Sequence, residues 1–201
     1  MGRKKGYDRE ELITRATALF RTHGFAGTST RLLVDELGVN RNTMYREFGS
    51  KEALFEAALE RYELAVLDRR FGPLERDDSC LAEVFGLFDH WAAAVDGEAY
   101  GAGCMYCNSA VELGALDPNH QDLARRYFAR IRGALRNALS NAQRAGHLVA
   151  EQGVDELADL LMAATLGIFV LLRSRAEPSM VRAAAAAAKS TILLHTQSRS
   201  D

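Results

Sequence analysis

Proline and cysteine are both scarce in this chain, with three of each among 201 residues, and there is a single tryptophan. An odd number of cysteines, two of them close together at Cys104 and Cys107, does not make the disulfide framework of a small secreted domain. The longest uncharged apolar run, Leu160 to Leu172, is too short to cross a bilayer and reads as a buried helix. The start, MGRKKGYDREELI, is basic and then charged with no apolar stretch behind it, so a cytoplasmic protein with no membrane partner is expected. Alternating β-branched strands and internal repeats are absent, and the only low-complexity segment is the alanine run Ala183 to Ala188.

Catalytic signatures are missing as well. There is no Glu-x-x-His pair for a di-iron bundle, no G-x-S-x-G elbow, no phosphate loop and no H-E-x-x-H. His23, His90, His120, His147 and His195 are scattered, without companions at a ligand or catalytic spacing, and His120 fits a helix N-terminus better than a base. The expectation is therefore a non-enzyme with no cofactor and no metal.

What the chain does have is helix-forming apolar periodicity and an uneven charge. It is 48% hydrophobic and 26% charged, enough to bury a core, with a net charge of −2. Residues 1–51 hold ten Lys/Arg against six Asp/Glu, and the rest hold fifteen against twenty-one, so a basic head precedes an acidic body. Leu12, Ile13, Ala16, Leu19 and Phe20 make one helical stripe closed by Gly24; Thr28 or Ser29 caps a second helix, Asn40 a third to about Phe48, and Ser50 a fourth running to about Arg70. Phe71-Gly72-Pro73 is expected to end that helix. Further helices follow at about 78–96, 101–115, 118–145, 154–174 and 179–196, with Pro118 and Pro178 where a first turn tolerates proline.

Within GVNRNTMYREFGSKEAL, Gly38 to Leu54, two short helices meet at a glycine turn. Leu33, Leu37, Val39, Met44 and Phe48 are spaced to lock them inward, leaving Arg41, Asn42, Thr43, Tyr45 and Arg46 on outer and flanking faces. Arg pairs with guanine, Asn with adenine, and a Thr methyl with a thymine methyl, while Tyr45, Lys51 and the Thr28 hydroxyl suit phosphate oxygens. The tail Arg3-Lys4-Lys5 adds sequence-independent attraction. From spacing alone, a merely solvated polar helix is the competing reading.

The segment GFAGTSTRLLVDELGVNRNTMYREFGSKEALFEAAL resembles the DNA-binding head of the tetracycline-repressor (TetR) family of bacterial regulators. Gly24-Phe25, Thr28-Ser29, Gly38-Val39, Thr43, Tyr45, Phe48, Ser50-Lys51-Glu52 and Leu54 carry the resemblance over about residues 8 to 55. It implies an all-α protein. A three-helix helix-turn-helix head, residues 1–50 with a basic tail at 1–7, joins a larger ligand-binding and dimerisation body, residues 51–201. It also implies that Arg41 to Arg46 form the recognition helix and that Thr28, Tyr45 and Lys51 meet phosphates. Two residues depart from the family pattern: Asn42 replaces a small residue and Val34 an alanine, so the operator cannot be borrowed from relatives.

In the body, AGCMYCNSAVELGALDP resembles the G-C-x-x-x-N-x-x-x-E stretch of one TetR subgroup through Gly103, Cys104, Asn108 and Glu112. Cys104, Asn108, Val111 and Ala115 share a helix face. With Tyr106, Cys107 and Glu112 they are candidates to line a cavity for a small hydrophobic or aromatic effector, walled by Phe85, Phe88, Trp91 and Phe128. Each aromatic has plain core packing as its alternative. Cys104 and Cys107 could also be structural, sense oxidants or electrophiles, or hold a thiophilic metal. Leu157, Leu160, Leu161, Ala164, Ile168, Leu171 and Leu172, with Ala183 to Ala188, Ile192, Leu193 and Leu194, are the expected homodimer seam, the alternative being that the alanines favour helix and pack inside one subunit. The resemblance then implies two recognition helices about 34–36 Å apart on a palindromic double-stranded operator.

Overall fold

The computed structural model describes residues 7–97, 100–114, 118–149 and 153–196. The tail Arg3-Lys4-Lys5, Ala115 and Asp117 fall outside them. Helix α1, Arg9–Gly27, starts where the Asp8 carboxylate accepts the Glu10 N–H at 3.0 Å. Its regular course breaks at Gly24, whose φ of 74° and ψ of 178° are non-helical. The Ser29 hydroxyl caps α2, Thr30–Leu37, the Asn40 amide oxygen caps α3, Arg41–Phe48, and the Ser50 hydroxyl caps α4, Lys51–Val66. Each cap accepts an N–H that would otherwise be an orphan of the first turn. Gly38, at φ 67°, makes the left-handed turn between α2 and α3.

Pro73 does not end the fourth helix as expected. The helix widens into a π turn, Leu67–Phe71, and continues as α5, Gly72–Glu75. In a regular α-helix the proline ring would collide with the carbonyl four residues back. The π turn shifts the register, with the Gly72 N–H bonded to the Leu67 carbonyl, so that Pro73 stands at the start of a new turn.

Helix α6, Leu81–Ala93, starts later than residue 78 because Cys80 is extended and its N–H is taken by the Glu83 carboxylate at 2.8 Å. A 3-10 turn, Ala94–Asp96, closes it. Helix α7 spans only Met105–Leu113, since Gly101 and Gly103 hold φ values of 90° and 63° that no helix contains. Helices α8, Pro118–Arg144, α9, Val154–Arg173, and α10, Pro178–Leu193, follow. Among the described residues no helix is long and apolar enough to cross a membrane.

One buried cluster runs through the molecule, from Phe20, Leu33 and Phe55 near the N-terminal helices to Phe88, Leu135 and Ile192. Helix α1 packs on α4 and α7, and α8, α9 and α10 pack with α6 around the rest. The expected dimer seam is corrected in part: Leu157, Leu161, Ile168, Leu172 and Ile192 are sealed inside the chain's own core. Helix α9 is apolar on most of its faces, so one face packs internally and another remains outside. That outer stripe is Leu160 and Val170, 50% and 59% exposed, with Ala163 and Gly167 between them at three- and four-residue steps. Met180, Leu193 and Leu194 are exposed on and just beyond α10.

Ile168→Ala should therefore cost about 2–5 kcal/mol in chemical denaturation through a core cavity. The loss should be the same at every protein concentration. A loss that high protein concentration restores would return Ile168 to the seam.

Candidate functional site

Arg41, Asn42, Tyr45 and Arg46 emerge together on the solvent face of α3, while Met44 and Phe48 anchor its other face at 0% and 8% exposure. The Arg41 guanidinium lies 5.5 Å from the Tyr45 ring centroid. Hydrogen bonding to Arg41, and then to Thr30, holds the Tyr45 phenol below its usual range. Arg46 donates to the Tyr7 hydroxyl at 3.2 Å, which keeps its guanidinium above the usual range, and Tyr7 in turn donates to Glu47 at 2.6 Å. Arg15 on α1 donates to the Glu36 and Leu37 carbonyls, the orphan acceptors at the end of α2. The turn before α3 is thus pinned from behind by a cation.

Three other expected DNA residues, Thr28, Thr43 and Lys51, stand off the exposed face of α3. Thr28 is fully buried, and its hydroxyl donates to the Gly24 carbonyl at 2.6 Å, which the break in α1 leaves without a helical partner. Thr43 is buried in the first turn of α3. Lys51 is half-buried with Nζ 4.0 Å from the Phe25 ring centroid, and burial lowers its pKa.

The break in α1 is spliced by the body. In an unbroken helix the Phe25 and Ala26 N–H groups would bond the Arg21 and Thr22 carbonyls. Gly24 separates them, and each side finds a charged partner. The Glu112 carboxylate on α7 accepts from Phe25 N–H at 2.9 Å and Ala26 N–H at 3.1 Å. The Arg173 guanidinium on α9 donates to the Arg21 carbonyl at 2.9 Å and the Thr22 carbonyl at 3.0 Å, and to Gly101 at 3.2 Å. A side chain at Gly24 would run into the Glu112 carboxylate, and its φ/ψ pair is one only glycine adopts readily.

A partly open cavity of about 340 Å³ lies between α1, α4, the π turn, α6 and α9. Trp91 is the one expected effector residue that lines it; Arg21, Tyr62, Arg70, His90 and Phe169 are among the others. A more open groove of about 290 Å³ runs between α7 and α9, bordered by Cys107, Asn108, Val111 and Glu112 on one side and Val170 and Arg173 on the other. Of the remaining expected effector residues, Phe88, Cys104 and Tyr106 are core, while Phe85 and Phe128 are half-buried against it. Phe88 is at 0% exposure and Phe128 sets its edge against Tyr127. Tyr106 stacks on Tyr127 at 4.1 Å and donates to Glu63 at 2.7 Å. Asn108 donates to the Ala102 carbonyl at 3.0 Å.

Cys104 is at 0% exposure with Sγ 3.3 Å from the Tyr127 hydroxyl. Burial opposes its ionisation, but hydrogen bonds from Cys107, Tyr127 and Tyr62 outweigh that and lower the thiol to about 6. Donation to Cys104 pushes Cys107 the other way. Thiol sensing loses its support here, because a reactive cysteine needs access as well as a lowered pKa. Among the described residues no group of three or more His, Cys, Asp or Glu is placed to hold a metal ion.

Comparison with known proteins decides the family. The sequence model of bacterial regulatory proteins of the tetR family matches residues 12–58, and that of the tetracyclin repressor-like C-terminal domain matches residues 80–188. The chain belongs to the TetR family. It is 30% identical over 186 residues to the transcriptional repressor ComR of Escherichia coli (strain K12), covering 87% of this chain and 84% of ComR. It is 28% identical over 182 residues to the uncharacterised regulator YezE of Bacillus subtilis (strain 168), covering 88% and 92%. A TetR regulator from Chloroflexus aurantiacus J-10-FL shares the fold with a TM-score of 0.82 at 24% identity, over 94% of this chain and 95% of that one. A cysteine mutant of the TetR regulator CifR, bound to 26 bp of operator DNA, superposes with a TM-score of 0.81 at 23% identity, over 95% and 100%. This TetR protein is accordingly a DNA-binding transcriptional regulator, a class that is not enzymatic.

Sequence reasoning missed Tyr7, Arg15, Arg21 and Arg173. Arg15 had a signal, a cation able to reach the carbonyls before Gly38; the others depend on contacts made across long stretches of chain. Glu112→Ala strands the Phe25 and Ala26 N–H groups and should cost about 1–3 kcal/mol. Hydrogen exchange at those two amides should accelerate with little change elsewhere in α1. Unchanged exchange there would show that Glu112 does not hold the break.

Proposed function

We propose that this TetR protein is a repressor that binds a palindromic operator as a homodimer and is released by a small, largely apolar effector in the body cavity lined by Trp91. The observation that carries the reading is the face of α3, where Arg41, Asn42, Tyr45 and Arg46 are presented to solvent on a capped helix locked from behind. These side chains suit base edges and phosphates in a major groove. Residues 1–50 serve as the DNA-binding head and residues 51–201 as the effector and dimerisation body. The repressor ComR supports the sign of regulation, as the relative of 30% identity. We also assign the body to the G-C-x-x-x-N-x-x-x-E subgroup, in which Gly103, Cys104, Asn108 and Glu112 hold α7 against the core and the head.

Dimerisation uses the outer stripe Leu160, Ala163, Gly167 and Val170 of α9 together with Met180, Leu193 and Leu194, an apolar surface that a two-fold axis would cover. An occupant of the cavity touches α1 through Arg21, α4 through Tyr62 and α9 through Phe169 at once. It releases DNA to the extent that it binds a head-displaced state more tightly than the operator-bound one.

Selection of random duplex DNA at about 0.15 M salt, with sequencing of what is retained, tests the reading. An enriched palindrome is expected. Unselective retention that disappears with added salt would leave only phosphate attraction and sink the repressor. On the selected site, Arg41→Ala should cost about 1–3 kcal/mol at one base pair of each half-site, and Lys51→Ala should weaken binding evenly across sites. Leu160→Asp should yield a folded monomer with far weaker operator binding. A dimer that survives Leu160→Asp would move the seam elsewhere.

A further inference from the structure

We infer that the cavity lined by Trp91 takes an aromatic carboxylate, with the carboxylate met by Arg21 and Arg70 and the ring lodged among Tyr62, Trp91 and Phe169. The inference rests on the reading of this cavity as the effector site and adds the chemical class of the effector. Its walls are of two kinds. Tyr62, Trp91 and Phe169 supply flat apolar surface, the last two meeting edge-to-face at 4.9 Å between ring centroids. Arg21, Arg69 and Arg70 supply positive charge, and no carboxylate lines the cavity among the described residues. Nor does any described carboxylate lie within 4.0 Å of the Arg21, Arg69 or Arg70 guanidinium nitrogens, whereas Arg76, Arg130, Arg132, Arg136 and Arg182 are paired.

A cationic wall beside flat apolar surface matches a ring that carries an anion, and the planar guanidinium is the side chain suited to bind a carboxylate through two hydrogen bonds. Burial, and then the neighbouring Arg69, lowers the pKa of Arg70, while burial and then Arg70 lowers that of His90. The cluster is therefore in mutual repulsion that an anion relieves. At about 340 Å³ the cavity stands at the small end of ligand sites, in keeping with one or two rings and a short acid chain. Arg21 belongs to α1, and its own carbonyl is one of the two that Arg173 holds, so a carboxylate drawn to Arg21 acts directly on the break at Gly24.

The sole tryptophan of the chain, Trp91, lines the cavity and reports its occupancy. The test is titration of the full chain with phenylacetate and 4-phenylbutyrate, each against its primary amide, followed by Trp91 fluorescence and melting temperature. The acids should change the emission saturably and bind at least about tenfold more tightly than the amides, and Arg21→Gln and Arg70→Gln should abolish that preference. Both variants are to be checked for wild-type circular dichroism; if Arg21→Gln does not fold, Arg70→Gln and Arg69→Gln decide. Equal binding of acids and amides overturns the carboxylate class and leaves the effector cavity standing. An acid preference that survives the arginine variants overturns the assignment by placing the anion elsewhere. No response of Trp91 or of the melting temperature to either series removes the cavity as a ligand site, and the effector reading falls with it.

Discussion

The structure depends on a break in its first helix that the helix cannot repair itself. Gly24 takes α1 out of its regular course, and four backbone groups lose the partners an unbroken helix would give them. The two N–H groups are answered by Glu112 from α7 and the two carbonyls by Arg173 from α9. Charged partners make stronger hydrogen bonds than neutral ones, although solvent screens the two that are exposed, at Ala26 and Thr22. Head and body are joined at this point by four such bonds, in addition to the packing of α1 on α4 and α7.

In the proposed mechanism, this arrangement would let the head respond to the body without a flexible tether. The residues that splice the break stand on helices that also shape recesses of the body. Arg173 and Glu112 border the groove between α7 and α9, and Arg21, next to the break, lines the cavity beside Trp91. A shift of α7 or α9 too small to disturb the core would still misplace a carboxylate or a guanidinium relative to its backbone partners. Hydrogen bonds weaken steeply with misalignment, so a small displacement has a disproportionate effect at this joint. The π turn Leu67–Phe71 adds a second irregular element at the far end of α4, and its Arg69 and Arg70 face the same cavity.

Much of this was legible in the sequence, and the limits follow from how local each signal is. Ser29, Asn40, Ser50 and Gly38 announce helix ends within a few residues, and all four act as expected. Gly24 was legible as the end of a stripe. Its partners were not, because Glu112 and Arg173 stand roughly 90 and 150 positions away and no periodicity links them to it. Thr28 and Thr43 looked like surface hydroxyls because threonine is ordinarily polar and exposed, yet both fill interior positions beside a backbone turn. Tyr106, Phe88 and Phe128 were ambiguous for the opposite reason: an aromatic on a helix serves a core or a cavity equally well. The apolar breadth of α9 concealed which of its faces turns inward, and only the positions of α8 and α10 settle that.

The claim on which the account stands is that the body sets the position of the heads through the splice at Gly24. The most direct measurement is the distance between two heads, read by electron paramagnetic resonance from spin labels carried by an unnatural amino acid in place of the exposed Arg31. The account predicts one narrow distance for the wild-type protein and a broad distribution for the Glu112→Ala, Arg173→Ala double variant, with weaker operator binding to match. The same narrow distance in both proteins, or no distance between heads at all, would contradict it.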